Sequence, residues 1–215
     1  MLSIHLELLD KERRKVFEKL SAFSQTAVLG GGTALSLQIA HRLSFDFDLF
    51  LKKPLKKEDL LKIKRTFKLT EIQINTPEQL TVITDNKVDI TLLYYPYKSV
   101  FPKIVTPSLP LCAIEDIAAD KAYTVGRRAV WRDYVDLFFI LKWGFVDIFK
   151  LVKLDEQKFG VEFNPKLFLE QLIYFEDIEI SKMSFIKEEP SVLEIQDFLK
   201  QQVRLFKEKE LGGDF

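Results

Sequence analysis

The spacing of hydrophobic positions predicts strands in the first half of the chain and only helices in the second. Between residues 45 and 51, phenylalanine and leucine occupy every second position, which is typical of a strand with one buried face. Asp46 and Asp48 fall on the other face of this strand. Short apolar or alternating runs bounded by turn residues predict further strands at 26–29, 69–75, 80–84 and 87–95. We therefore expect a small mixed sheet.

Apolar residues at helical spacing predict helices around and after this sheet. They lie at 10–20, 52–68, 114–125, 132–143, 165–174 and 191–207, with one more beginning at Thr33. Four prolines between residues 96 and 110 interrupt regular structure and mark a boundary. The patterns predict an α/β (α+β) fold of two lobes, with the mixed sheet and its flanking helices in residues 1–110 and a helical lobe in residues 111–215.

Composition narrows the class of protein without naming a function. The chain has 215 residues, 47% of them hydrophobic, which is enough to bury a core in each lobe. Its 32 basic and 32 acidic residues cancel, so a nucleic-acid partner would need a local basic patch. No secretion signal opens the chain, and no apolar stretch reaches the ~20 residues that span a membrane. We expect a cytoplasmic protein with no membrane partner.

Three aspartates have the residue type and the spacing of a magnesium site. Asp46 and Asp48, two residues apart on one strand, point to the same face, and Asp89 arrives on another predicted strand. Nucleotidyl transfer requires in-line attack and neutralised phosphates, which two magnesium ions about 3.5–4 Å apart can supply. Because magnesium prefers carboxylate oxygens, the three aspartates are candidate ligands for two Mg²⁺ ions. The ordinary alternative is a solvated pair on an edge strand.

A glycine-rich turn lies one helix upstream of the aspartates. Gly30, Gly31 and Gly32 separate a predicted strand from a helix that Thr33 would cap. Such a turn presents unpaired backbone N–H groups to phosphate, so it is a candidate site for a nucleoside triphosphate. A plain turn is the alternative.

These stretches resemble a known family. Residues 29–37 and 41–50 resemble the first motif of the AbiEii/AbiGii-type nucleotidyltransferases, within the polymerase-β-like superfamily. In the same order, 88–90 resembles the family's third-carboxylate strand, 114–121 its lysine-bearing helix and 132–137 its closing aspartate motif. The resemblance covers about two thirds of the chain and implies a polymerase-β-like nucleotidyltransferase core.

The resemblance implies roles for individual residues. Asp46 and Asp48 would be metal ligands, and Asp89 the third ligand or the base that deprotonates the acceptor hydroxyl. Lys121 would contact the triphosphate, and Asp133 would orient or balance basic groups beside the site. The nucleotide-binding residues would be Gly31, Gly32, Thr33, Ser44 and Lys121.

Two flanking residues are open at this stage. Asp136 would share the role of Asp133, or both would be ordinary acids near a helix start. Arg42 either touches phosphate or is a surface arginine.

The resemblance also implies a reaction and partners. A nucleoside monophosphate would pass from a nucleoside triphosphate to an acceptor, with the transfer RNA 3' end favoured, and the helical lobe would close the nucleotide site. The protein would be the toxin of a toxin–antitoxin or abortive-infection pair, with a cognate antitoxin protein as partner. Two alternatives are a small-molecule acceptor such as an aminoglycoside, or a protein hydroxyl. A third is a non-catalytic relic or partner-binding module, against which the intact aspartate trio argues.

Overall fold

The protein forms two compact units, Met1–Ala113 and Ile114–Phe215. The structure is a computed structural model, and it describes residues 4–128 and 130–211. Unit 1 contains the sheet and unit 2 is helical, so the predicted α/β fold with a helical region is confirmed. Within the described residues, no helix combines the length and the apolar character needed to cross a membrane.

Unit 1 is built on a five-stranded mixed sheet in the order β1-β2-β5-β4-β3. The strands are β1 Ala27–Gly30, β2 Phe47–Leu51, β3 Leu69–Asn75, β4 Gln79–Thr84 and β5 Asp89–Tyr94. β2 and β5 are parallel, and the other neighbouring pairs are antiparallel. The parallel pair sets the ends of β2 and β5 side by side, which decides where the aspartates lie.

The two faces of the sheet differ in burial. Phe47 and Leu49 of β2, with Ile90 and Leu92 of β5, are fully buried. The ring of Phe17 stacks on Phe47 with centroids 6.2 Å apart. This face therefore carries the core, and the alternate residues of β2 and β5 form the opposite face.

The helices of unit 1 are α1 Lys11–Lys19, α2 Gly31–Ile39 and α3 Lys57–Thr66. The side chain of Asp10 accepts a hydrogen bond from the Arg13 N–H and so caps α1. α2 is apolar and almost wholly buried, whereas α3 buries only Ile63 and is otherwise polar. The lysine-rich sequence predicts a helix from residue 52, but residues 52–56 are non-helical and α3 begins at Lys57.

Unit 2 packs aromatic side chains between its helices. Its helices are α4 Ile114–Val125, α5 Trp131–Lys142, α6 Ile148–Phe159, α7 Pro165–Gln171 and α8 Val192–Leu211. Tyr134, Phe138 and Phe139 of α5 are fully buried. α6 is absent from the sequence prediction, although Asp147 caps it and its apolar residues follow helical spacing.

Candidate metal and nucleotide site

The three aspartates lie on one partly exposed face of the sheet. Phe47 pairs with Ile90 and Asp48 with Thr91 in the parallel ladder, so Asp46 and Asp89 come to the same edge. Asp46 directly precedes β2, and Asp89 is the first residue of β5. All three aspartates are partly exposed. The alternation in the sequence therefore placed these side chains on one face, as expected.

The charges of Asp46 and Asp89 interact. Burial raises the pKa of Asp89 above its ordinary value, and the negative charge of Asp46 raises it further. Arg13 of α1 acts in the opposite direction. A cation between the two carboxylates would relieve this repulsion, so the donor set fits a divalent metal in charge and in ligand type.

The three carboxylates are not gathered into a finished ligand set. Among the described residues, no group of three or more His, Cys, Asp or Glu side chains has the geometry to hold a metal ion. The carboxylate of Asp48 lies against Gly31, where an added Cβ would be 3.3 Å from Asp48 Cγ and closer still to Oδ2. Asp48 thus connects the aspartate face to the glycine turn.

The glycine turn requires glycine at its centre. Gly31 has φ +66°, in the left-handed region that L side chains rarely adopt, and the Asp48 carboxylate occupies the space of a Cβ. α2 begins at this residue, with Gly30 as its N-cap and no side-chain cap. The turn and the first residues of the helix therefore present backbone N–H groups beside Asp48.

Thr33 is not the helix cap that the sequence suggested. It lies inside α2, it is 1% exposed, and its hydroxyl donates to the backbone oxygen of Asp46. Thr33 Oγ1 also lies 3.0 Å from the Ser44 hydroxyl. α2 begins at Gly31 without a side-chain cap. The Thr33 hydroxyl instead holds Asp46, the residue directly before β2.

Arg42 is the residue that sequence reasoning underrated. It is 3% exposed and therefore not a surface arginine. Its Nη2 lies 2.7 Å from where a Cβ on Gly32 would be, and the Ser44 hydroxyl lies 3.1 Å from the same point. The buried guanidinium therefore places a fixed positive charge beside the glycine turn, and a guanidinium is a group suited to binding phosphate. The sequence held one signal for this contact. Gly32 has no side chain, and an arginine follows shortly after the same helix.

Replacing Arg42 by methionine should weaken binding of a nucleoside triphosphate by roughly 10- to 150-fold, because a hydrogen bond to a charged group contributes about 1.5–3 kcal/mol. Titration calorimetry with ATP, GTP, CTP and UTP in turn measures the loss. Arg65→Met on the exposed surface of α3 is the control and should bind normally. Equal affinity of Arg42→Met and the control, with an unchanged unfolding midpoint, would remove Arg42 from the site.

Unit 2 holds the other predicted site residues in a buried charge cluster. Lys121 of α4 is 8% exposed, and its Nζ lies 2.5 Å from Asp133 Oδ1 and 2.8 Å from Asp136 Oδ2. Arg128 contacts the other oxygen of Asp133 at 3.0 Å. Asp133 and Asp136 are both buried, so neither is an exposed helix-end acid. A Lys121→Ala variant would leave two buried carboxylates short of a cation and would test the folding of unit 2 before it tested chemistry.

A mixed sheet that brings paired aspartates next to a glycine turn at a helix start suits a nucleotidyltransferase, and a family model of this class matches part of the chain. Residues 15–101 match the family model of the nucleotidyl transferase AbiEii toxin of type IV toxin–antitoxin systems. This segment is similar to that family. It contains the glycine turn, Arg42 and all three aspartates, and it ends before Lys121 and Asp133.

Three known proteins are similar to this chain over most of its length. An uncharacterized protein of Aquifex aeolicus (strain VF5) is 29% identical over 93% of this chain and 98% of its own length. A candidate nucleotidyltransferase from H. pylori superposes with a TM-score of 0.59 at 18% identity, covering 95% of this chain and 96% of its own. MenT4, a nucleotidyltransferase toxin of Mycobacterium tuberculosis H37Rv, superposes with a TM-score of 0.61 at 15% identity over 92% of this chain and 85% of its own. At these identities the two structures are similar in fold.

Proposed function

We propose that this nucleotidyltransferase uses Mg²⁺ to move a nucleoside monophosphate from a nucleoside triphosphate to RNA, with the transfer RNA 3' end as acceptor. The observation that carries the proposal is the contact of Asp48 with Gly31 beside the interacting pair Asp46 and Asp89. It joins a carboxylate face to a turn that would bind phosphate. As a toxin, the protein would be paired with a cognate antitoxin, as the description of the matching family model indicates.

The residues of unit 1 would have different roles in the reaction. Asp46, Asp48 and Asp89 would hold Mg²⁺, which supplies charge neutralisation on the phosphates. The N–H groups of Gly31 and Gly32 and the guanidinium of Arg42 would hold the outer phosphates, with Ser44 and Thr33 supporting the turn. The acceptor hydroxyl attacks the α-phosphorus, and pyrophosphate leaves. Alternatively, Asp89 would be the base that accepts the hydroxyl proton.

Contact of Lys121 with the triphosphate, as a compact positive charge, stays a prediction from the family resemblance. Its ammonium is already oriented by Asp133 and Asp136. Asp133 would therefore act as a positioning residue that fixes Lys121, while Arg128 balances its second oxygen.

An RNA acceptor is supported by a local basic surface. The chain is neutral overall, yet residues 52–68 contain eight lysines and arginines against two acids. Most of these basic side chains are exposed on α3 and the segment before it. Such a surface attracts a phosphate backbone without base specificity.

The test is incubation of the purified protein with Mg²⁺, each labelled nucleoside triphosphate in turn and total transfer RNA. Asp46→Ala should lower label transfer on the order of 1,000-fold, since it removes a ligand needed for charge neutralisation. Its unfolding midpoint should match that of the intact protein, because Asp46 is partly exposed and outside the core.

The outcomes separate the alternatives. Label in RNA only with the intact protein supports RNA transfer and identifies the base. Label in an aminoglycoside or a protein, with none in RNA, would replace the proposed acceptor. Normal transfer by a folded Asp46→Ala variant would end the mechanism, and no nucleotide binding by the intact protein would favour a non-catalytic relic.

A further inference from the structure

The open face of the sheet continues past the aspartates into a group of aromatic rings. Along β2 the residues on this face are Asp46, Asp48 and Phe50, and along β5 they run from Asp89 to Tyr95. Tyr95 extends the parallel pairing, since its N–H donates to the Leu51 oxygen at 2.7 Å. All residues of these two rows, from the aspartates to the rings, are partly exposed.

The rings form an ordered stack with a cation at one edge. Phe50 and Tyr95 lie nearly parallel, with centroids 4.6 Å apart and an interplanar angle of 14°. Tyr97 meets Tyr95 edge-on at 5.3 Å. The ammonium of Lys52 lies 5.6 Å from the Tyr95 centroid and donates to the backbone oxygen of Tyr97. We call Phe50, Tyr95, Tyr97 and Lys52 the aromatic platform.

The aromatic platform touches the glycine turn. One edge of the Phe50 ring fills the space beside Gly30, where an added Cβ would be 2.6 Å from Phe50 Cζ. Phe50 is also two residues beyond Asp48 on one strand face, which is about 7 Å. One side chain thus borders both the phosphate turn and the carboxylates, at a distance that a single nucleotide spans between its phosphate and its base.

We propose that the aromatic platform is a nucleobase-stacking subsite of the proposed transfer reaction. Aromatic side chains bind bases by stacking without strict sequence preference, and a nearby lysine adds attraction for phosphate. The base is that of the incoming nucleoside triphosphate, because Phe50 borders the glycine turn that would hold its phosphates. The inference rests on the proposed function for its place in the reaction, although base binding itself does not require transfer.

The experiment measures binding to the Asp46→Asn protein, in which transfer is blocked, so that substrates stay intact. The probes are ATP, GTP, CTP and UTP in turn, inorganic tripolyphosphate, and a short single-stranded RNA of mixed sequence. In this background, Phe50→Leu keeps an apolar cover on Gly30 but removes the ring. Phe50→Tyr keeps the ring and should restore binding.

A matched control exists in unit 2. Phe149 and Phe206 form a partly exposed stacked pair with centroids 5.2 Å apart, and Lys209 lies 4.2 Å from the Phe149 centroid. Phe206→Leu therefore removes the same kind of stack in unit 2 and leaves the sheet of unit 1 unchanged. It should bind every probe as the parent protein does.

One result supports the inference. Loss of one stacked base should weaken binding roughly 5- to 150-fold. Such a loss for nucleoside triphosphates, with unchanged tripolyphosphate binding, supports a stacking subsite for the incoming nucleotide. The same loss for the RNA alone would place an acceptor base on the platform and overturn this assignment.

Unchanged binding of all probes in a folded Phe50→Leu protein would overturn the inference. A base-dependent loss in a protein whose wild type transfers no label would keep the subsite and reject the proposed function. The two proposals therefore fail separately.

Discussion

Replacing Gly31 by alanine should reduce nucleotidyl transfer by about 100-fold or more while the protein remains folded. Alanine at φ +66° is strained, and its Cβ would fall where the Asp48 carboxylate lies. Either the turn or Asp48 must move, and a misplacement of about 1 Å in a catalytic arrangement can cost 10²-fold. The loss is measured in the label-transfer assay, with nucleotide affinity measured alongside.

Gly144→Ala provides the control for backbone strain. Gly144 has φ +71°, but a Cβ there would meet nothing within 4 Å. This variant should lose about 1–2 kcal/mol of stability and no activity. If Gly31→Ala transferred label as well as Gly144→Ala does, the glycine turn would have no part in holding the triphosphate.

Replacing Asp155 by asparagine should stabilise the protein by roughly 2–4 kcal/mol at pH 8. Asp155 of α6 is fully buried, and within the described residues neither of its carboxylate oxygens has a hydrogen-bond partner. Burial, followed by the charge of Asp120, raises its pKa to about 9, while Lys158 opposes the shift. Asp116 and Asp120 of α4 both pair with Lys158, at 2.9 and 2.7 Å, so that ammonium is already balanced.

The stability gained by replacing Asp155 with asparagine should increase with pH. Unfolded Asp155 loses its proton near pH 4, whereas the folded form keeps it until about pH 9. Between these values the native state binds the extra proton, so its stability falls as pH rises, by at most about 1.4 kcal/mol per unit. Asparagine has no such dependence. The advantage of Asp155→Asn should therefore be small at pH 4.5, grow up to pH 9 and then level off.

Urea unfolding at several pH values measures this difference. Asp120→Asn is the comparison, because it removes a partner of Lys158 and should destabilise the protein. A pH-independent difference between Asp155→Asn and the intact protein would show that Asp155 is charged in the folded state.

Period-two alternation was sufficient to predict the aspartate face. It put Asp46, Asp48 and Asp89 on one side of two strands, and the parallel register of β2 and β5 then set Asp46 beside Asp89. The register itself was not readable, because it depends on packing between strands that are distant in the sequence. The helix-cap prediction for Thr33 was wrong for a related reason, since its partner is the backbone of Asp46, thirteen residues away.

The burial of charged side chains was the property that the sequence predicted least well. Arg42 and Lys121 have the residue type of surface positions, yet both are buried. Lys121 is compensated by two aspartates on the next helix, a pairing that only tertiary contacts reveal. Arg42 fits because Gly32 has no side chain. Charged residues are rarely buried without such partners, so residue type alone favoured exposure.

The hydrogen bond from Thr33 to Asp46 has a thermodynamic consequence. It ties the first turn of α2 to the residue that opens the aspartate strand, so displacement of one moves the other. Ligands of the turn and of the carboxylates would then bind cooperatively. Linkage makes this cooperativity reciprocal: the factor by which a cation tightens nucleotide binding equals the factor by which the nucleotide tightens cation binding.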